Sequence, residues 1–205
     1  MKNGIDISRW QGSIDFEKVK NSGIDFVFIK AGGSDDGFYT DRNFYMNYEK
    51  AKNAGLNVGA YYFAGAHCSN FENGVYHANK FYEIIKGLTF EYPVVLDFEC
   101  QSKNNKAGNT QAVLGFGTFF EKLKYYFMVY GSDISTFKER VNDKDIKCFD
   151  HWVARYGSEP KFVKSYGVWQ SSSTGRVNGI AGNVDLDISY NDYPELMKKY
   201  HLNGF

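Results

Sequence analysis

Short β-type runs alternate with helical patterns along this 205-residue chain, and that alternation restricts its fold more than any other feature. The strand candidates are Gly4–Ser8, Asp25–Ala31, Asn57–Ala64, Tyr92–Glu99, Tyr126–Gly131, His151–Tyr156, Tyr166–Gln170 and Val184–Ser189. Helical patterns separate the early ones, over Ile14–Asn21, Asp41–Ala54, Asn70–Lys86 and Thr110–Lys124. In the second of these, Phe44, Tyr48 and Ala51 recur at helical spacing and Gly55 offers a stop. Strands interleaved with helices predict parallel β/α units. After Tyr126 the connections shorten, and only Ile134–Val141 keeps helical periodicity. Eight strands suit a barrel, yet the chain falls short of the ~250 residues of a complete (β/α)8 barrel. The expected fold is therefore α/β: a single TIM-like (β/α) barrel over residues 1–205, with some later helices shortened or missing. Tyr190–Phe205, with Leu196 and Met197 available for packing, is expected to cap that one domain.

Composition narrows the function. Hydrophobic residues make up 43% and aromatics 18%, too many for a disordered chain. Lys plus Arg and Asp plus Glu both number 24, so no global field favours nucleic acid or an anionic membrane. No run is long enough to span a bilayer. The N-terminus lacks the apolar core of a signal peptide, which predicts export by a non-classical route, release by lysis, or a leader already removed. Cys68, Cys100 and Cys148 are odd in number and widely spaced. They read as small, mostly buried thiols, with disulfides possible but not needed, and no Cys/His cluster suggests zinc.

Chemistry concentrates in Tyr92-Pro93-Val94-Val95-Leu96-Asp97-Phe98-Glu99. The apolar run reads as a buried strand that ends in two carboxylates at i, i+2. Strand side chains alternate, so Asp97 and Glu99 project one way and Phe98 the other. Burying two acids on one face is costly without a use for them. Such a pair suits glycosidic bond cleavage, although most D-x-E triplets are solvated loop charges. In a β/α barrel the strand ends form the active site. Other predicted strand ends carry Asp6, Lys30, Tyr61, Tyr62, Tyr130, Trp152 to Tyr156 and Gln170, and the last strand carries Asp185 and Asp187. Acids gathered at one mouth cannot all ionise cheaply, so at least one should keep a proton near neutral pH, as a general acid must.

Ordered motifs along the chain resemble glycoside hydrolase family 25, the Chalaropsis-type lysozymes. Gly4-Ile5-Asp6-Ile7-Ser8-Arg9-Trp10-Gln11-Gly12 is similar to that family's G-I-D-(V/I)-S-x-W-Q-G opening. Phe26–Ala31 resembles its second strand, and Val94–Glu99 its D-x-E strand. Trp152–Tyr156, Trp169-Gln170 and Gly182–Asp185 resemble three later motifs. The resemblance implies a muramidase that cleaves the β-1,4 bond between N-acetylmuramic acid and N-acetylglucosamine of bacterial peptidoglycan. It implies no metal and no cofactor, and action at the cell wall as a phage or prophage endolysin or an autolysin, as a monomer. By position, the catalytic acids would be Asp6, Asp97, Glu99 and Asp185. Glu99 would be the proton donor. Asp97 would support the substrate's 2-acetamido group or act on the water. Tyr61, Tyr62, Tyr130, Trp152, Tyr156 and Gln170 would line the sugar cleft. For the tryptophan, rim packing is an equal reading.

Three departures stand out. Gly32-Gly33-Ser34 replaces a usual Thr/Ser-Glu-Gly segment, Tyr62 stands where a histidine is usual, and Asp187 where Asn is common. Two rival readings are a metal-dependent hydrolase, since clustered acids also bind Mg2+ or Ca2+, and a non-catalytic glycan-binding module on the same barrel.

Overall fold

Residues of alternating side preference build the barrel wall. In β2 (Phe26–Gly33), Phe26 and Phe28 face inward, while Val27, Ile29 and Ala31 pack outward against helices. The same parity puts Val95 of β5 (Val94–Asp97) inside and Val94 and Leu96 outside. It also puts Met128 and Tyr130 of β6 (Phe127–Ser132) inside and Phe127 and Val129 outside. A computed structural model describes residues 1–205.

Eight strands close the barrel. Around the wall they run β1 (Lys2–Ile7), β2, β4 (Asn57–Phe63), β5, β6, β7 (Asp150–Ala154), β8 (Val168–Gly175) and β9 (Val184–Ser189), with β9 back on β1. A two-residue strand, β3 (Tyr39–Thr40), hangs on the outer end of β2. Helices α1 (Phe16–Asn21), α2 (Phe44–Asn53), α3 (Phe71–Ile85) and α4 (Lys106–Lys122) follow the early strands. Between β6 and β9 only short turns remain, chiefly a π-helical one over Ser135–Arg140. The barrel with reduced later helices is thus the observed fold.

The parallel expectation fails at one strand. β9 runs antiparallel to both β8 and β1, with Asp6 opposite Asp185 and Gly4 opposite Asp187. The connection from β8 to β9 is too short to hold a crossover helix, so the chain must turn straight back. Asp185 therefore reaches the mouth from the start of its strand. α4 begins at Lys106, four residues before the predicted Thr110, because a short helical turn over Lys103–Asn105 leads directly into it. Of the thiols expected to be buried, only Cys68 is; Cys100 and Cys148 lie in exposed loops.

Two apolar bodies hold the molecule together. The larger lies between barrel and helices, and the smaller fills the barrel interior. The interior is aromatic: Phe26 stacks on Tyr92 at 4.2 Å, and Phe28 on Trp152 at 4.5 Å. Glycines make room for those rings. A Cβ on Gly59 would stand 2.4 Å from the Phe28 ring, and one on Gly4 2.2 Å from Phe26. Helix α5 (Tyr193–Tyr200) packs Tyr193 and Met197 into this interior core. The Asn203 amide that follows donates to the Tyr92 carbonyl and accepts from the Tyr126 N–H. No helix is long and apolar enough to cross a membrane.

Candidate active site

Above the aromatic filling, most inward strand positions turn polar. The residue two beyond Phe28 is Lys30, beyond Gly59 is Tyr61, beyond Val95 is Asp97, beyond Met128 is Tyr130, and beyond Val168 is Gln170. With Asp6 of β1 and Asp185 of β9 they surround a cleft of about 300 Å³. Glu99 joins them although β5 ends at Asp97. The Phe98 N–H still donates to the Tyr130 carbonyl at 3.1 Å and its ring is buried outward, so Glu99 turns back toward the cleft.

Asp6, Asp97, Glu99 and Asp185 thus share one mouth, as do Tyr61, Tyr130, Trp152, Tyr156 and Gln170. Tyr62 does not. It faces the helices, fully buried against His77, Phe81 and Phe116. Its expected place in the cleft is corrected by strand alternation: Tyr61 points in, so its neighbour must point out. Trp152 is also fully buried and forms the cleft floor, whereas Tyr156 is 55% exposed on the rim.

The polar layer is wired together. Tyr130 Oη donates to Gln170 Oε1 at 2.8 Å, and Tyr156 Oη donates to the same oxygen at 3.2 Å. Gln170 Nε2 then donates to Asp6 Oδ2 at 2.6 Å. Asp187, read from the sequence as an acid of the last strand but given no catalytic role, also belongs here. Its Oδ1 accepts from Trp152 Nε1 at 2.8 Å, while Oδ2 is buried without a partner. Burial, reinforced by Asp187 and Asp185, pushes the Asp6 carboxyl well above the usual range despite the Gln170 bond. Burial likewise pushes Asp187 far up and Asp185 up. Protons must be shared among these three.

Asp97 and Glu99 form the second acidic group. Asp97 is raised well above the ordinary value, first by burial, then by the Glu99 charge, with Lys30 opposing. Its Oδ1 is buried and unpartnered. Glu99 is raised by burial, opposed by Arg140 and Lys30. Glu99 is exposed at the cleft, whereas Asp97 is buried beneath it. The Glu99 charge thus favours the protonated form of Asp97. The loop after Glu99 is fixed by groups that no motif revealed. Buried Gln101 donates from Nε2 to the carbonyls of Ala64 and Gly65, at 3.0 Å each. Arg140 Nε donates to the Gln101 carbonyl at 2.7 Å. Only contact across elements distant in sequence exposes this pair.

Size alone would favour another hollow, of about 490 Å³, beside Asp150 and His151. There Asp150 already accepts from Tyr193 Oη at 2.6 Å and from the His151 N–H at 2.7 Å, so its carboxylate is spent on structure. No group of His, Cys, Asp and Glu has the geometry to hold a metal ion.

Comparison with known proteins agrees with this geometry. The sequence profile of glycosyl hydrolases family 25 matches residues 5–180. The chain is 34% identical over 194 residues to the autolytic lysozyme of Clostridium acetobutylicum, covering 90% of this chain and 54% of that protein. It is 33% identical over 202 residues to lysozyme M1 of Streptomyces globisporus, covering 89% and 65%. The chain therefore spans between about half and two-thirds of the length of these curated relatives. Among solved structures, the CTP1L endolysin superposes with a TM-score of 0.83 at 32% identity, over 97% of this chain and 70% of that one. The polar ring at the mouth of an eight-stranded barrel and these matches have one explanation: the chain belongs to glycosyl hydrolase family 25.

Proposed function

We propose that this protein is a muramidase, which hydrolyses the β-1,4 bond between N-acetylmuramic acid and N-acetylglucosamine in the peptidoglycan of bacterial walls. The observation that carries this reading is the Asp97–Glu99 pair, two carboxyls raised above their ordinary range by burial at the mouth of a cleft ringed by further acids. The lysozyme and endolysin names of its relatives support it. All 205 residues act as one catalytic domain, as a monomer.

Glu99 is the proton donor, because its carboxyl is the member of the pair open to a leaving group. Asp97 is the more strongly shifted acid, but it is enclosed, and a buried carboxylate oxygen without a donor favours protonation. A substrate acetamido N–H or a water that donates to Asp97 favours its ionised form and leaves the pair's proton on Glu99. That proton passes to the glycosidic oxygen as the bond to the muramic acid C1 breaks, and N-acetylglucosamine departs with a free 4-hydroxyl. The attacking group is the substrate's own acetamido oxygen or water, with Asp97 supporting it. Water finally supplies the hydroxyl at C1 and returns a proton to Glu99. Asp6 and Asp185 set the charge beneath the sugar, and Tyr61, Tyr130, Trp152, Tyr156 and Gln170 shape the subsites.

Digestion of purified peptidoglycan, followed by borohydride reduction, tests this. Muramitol in the hydrolysate is expected, and with EDTA present its yield is unchanged. Glucosaminitol would move the cleavage to the other bond. Wall binding without any new reducing ends would favour the glycan-binding alternative.

A further inference from the structure

The Gly32-Gly33 departure has a structural partner in Tyr39. A Cβ on Gly32 would lie 2.2 Å from the Tyr39 carbonyl oxygen, and one on Gly33 2.7 Å from the Tyr39 hydroxyl. Larger residues there would lift β3 off β2, so the two glycines let Tyr39 lie down beside the cleft. Two cations share its ring. The Arg9 guanidinium stands 5.5 Å from the Tyr39 centroid and 5.1 Å from that of Trp10. Lys30 Nζ stands 5.6 Å from Tyr39 and 4.3 Å from Phe63. One step outward, Lys80 lies 5.5 Å from Phe38, the chain neighbour of Tyr39, across a hollow of about 150 Å³.

None of these three cations is in an ion pair, although others in the chain are, such as Lys18 with Asp15 and Arg155 with Asp133. Lys30 also faces Asp97 and Glu99 in the cleft, but the carboxylates on the Arg9 side are occupied otherwise. Asp41 accepts from the N–H groups of Arg9 and Asn43, at 3.0 and 2.9 Å, and Asp35 from the Tyr39 hydroxyl at 2.8 Å. The Arg9 side chain makes no hydrogen bond at all, so its planar fork of donors is free. Its backbone is nonetheless fixed by Asp41 and by the Ser8–Gln11 capping box. Stacked, pre-positioned and unpaired guanidinium is suited to a carboxylate. In stem-bearing glycan the lactyl carboxyl of muramic acid is tied up as an amide, so the sugars themselves carry no charge that needs it. In peptidoglycan the carboxylates sit on the peptide stem that hangs from the lactyl group of muramic acid.

Resting on the muramidase reading, we propose that Arg9, Lys30 and Lys80, carried on Trp10, Tyr39 and Phe38, form a subsite for the acidic peptide stem. The enzyme then recognises stem-bearing glycan in preference to bare polysaccharide. Arg9 is the diagnostic member, because Lys30 lines the acidic cleft itself whereas Arg9 stands outside it.

The test compares kcat/KM on glycan strands with stems and on strands stripped by an amidase, with the lactyl carboxyl this exposes capped as a methylamide, and adds calorimetric titration of a soluble muramyl peptide. For the wild-type protein the ratio should favour stem-bearing strands. In Arg9→Ala that ratio should fall by roughly tenfold, mostly through KM, the scale of one charge-assisted contact. Affinity for the muramyl peptide should fall with it, Arg9→Lys should restore part of both, and Lys80→Ala should lower both less. Circular dichroism checks folding. A folded Arg9→Ala protein with the wild-type ratio and wild-type affinity overturns the proposal. Titration is independent of turnover: a wild-type protein that binds the peptide through Arg9 but releases no reducing ends sinks the muramidase assignment and leaves the stem subsite standing.

Discussion

The floor and the mouth of the barrel are built from the same strands, two residues apart, and they obey opposite rules. At the floor, Phe26, Phe28, Tyr92 and Trp152 pack ring against ring and are fully buried. At the mouth, acids gather that are costly to bring together, and two of their buried oxygens, on Asp97 and Asp187, lack partners. Packing of the floor is what makes the mouth possible. Rigid rings fix the strand register, and the register fixes where each carboxylate stands. The mouth contributes little to stability and, where its acids are ionised, opposes it.

Changes at the two levels should therefore separate activity from stability. Glu99→Gln keeps the shape and removes the exchangeable proton. Release of reducing ends should drop on the order of 10²–10⁴-fold, the usual range for a positioned acid, while the unfolding midpoint hardly moves. Near-normal turnover in a folded protein would remove Glu99 from the mechanism. Phe28→Ala should do the reverse at the outset. Losing a fully buried ring that contacts Tyr92 and Trp152 costs about 3–5 kcal/mol, read by urea denaturation. A loss below about 1 kcal/mol would mean the floor repacks freely and does not set the register.

Asp187→Asn probes the boundary between the levels. The amide keeps an acceptor for Trp152 Nε1 and removes a charge from the group formed with Asp6 and Asp185. Raised carboxyl pKa values mean that the folded state holds more protons than the unfolded state between the ordinary value near ~4 and the raised one. Stability from this group is thus greatest at low pH and falls as pH climbs through that window. Asn should stabilise the protein at neutral pH, by about 1 kcal/mol or less, and flatten the slope of stability against pH. A steeper slope in the variant would contradict the shared-proton arrangement. Tyr62→Phe should have the smallest effect. Its hydroxyl makes one long contact, 3.5 Å to His77 Nδ1, and its ring lies outside the cleft. Peptidoglycan turnover should stay within about twofold, as for a substitution away from the reacting groups. A large loss of turnover would return Tyr62 to the substrate side.

Much of this arrangement is legible in the chain itself. Alternation within Val94–Glu99 was enough to place Asp97 and Glu99 on one side, because a strand leaves its side chains only two directions. Strand and helix periods, with the shortened second half, were enough for a barrel with reduced later helices. The same parity rule, carried to Tyr61 and Tyr62, separates them, and the structure enforces it. Other features needed the folded molecule. The direction of β9 depends on a short connection that must close the barrel onto β1. The acidic group of Asp6, Asp185 and Asp187 exists only because that antiparallel register sets the two ends of the chain side by side. Gln101 ties the loop after Glu99 to the carbonyls of the distant Ala64 and Gly65, and Arg140 reaches from another loop to the Gln101 carbonyl. Local patterns determine which way a side chain points, since backbone geometry is local. What it meets there is decided by closure of the barrel, which couples residues more than 160 positions apart, as Gln170 and Asp6 show.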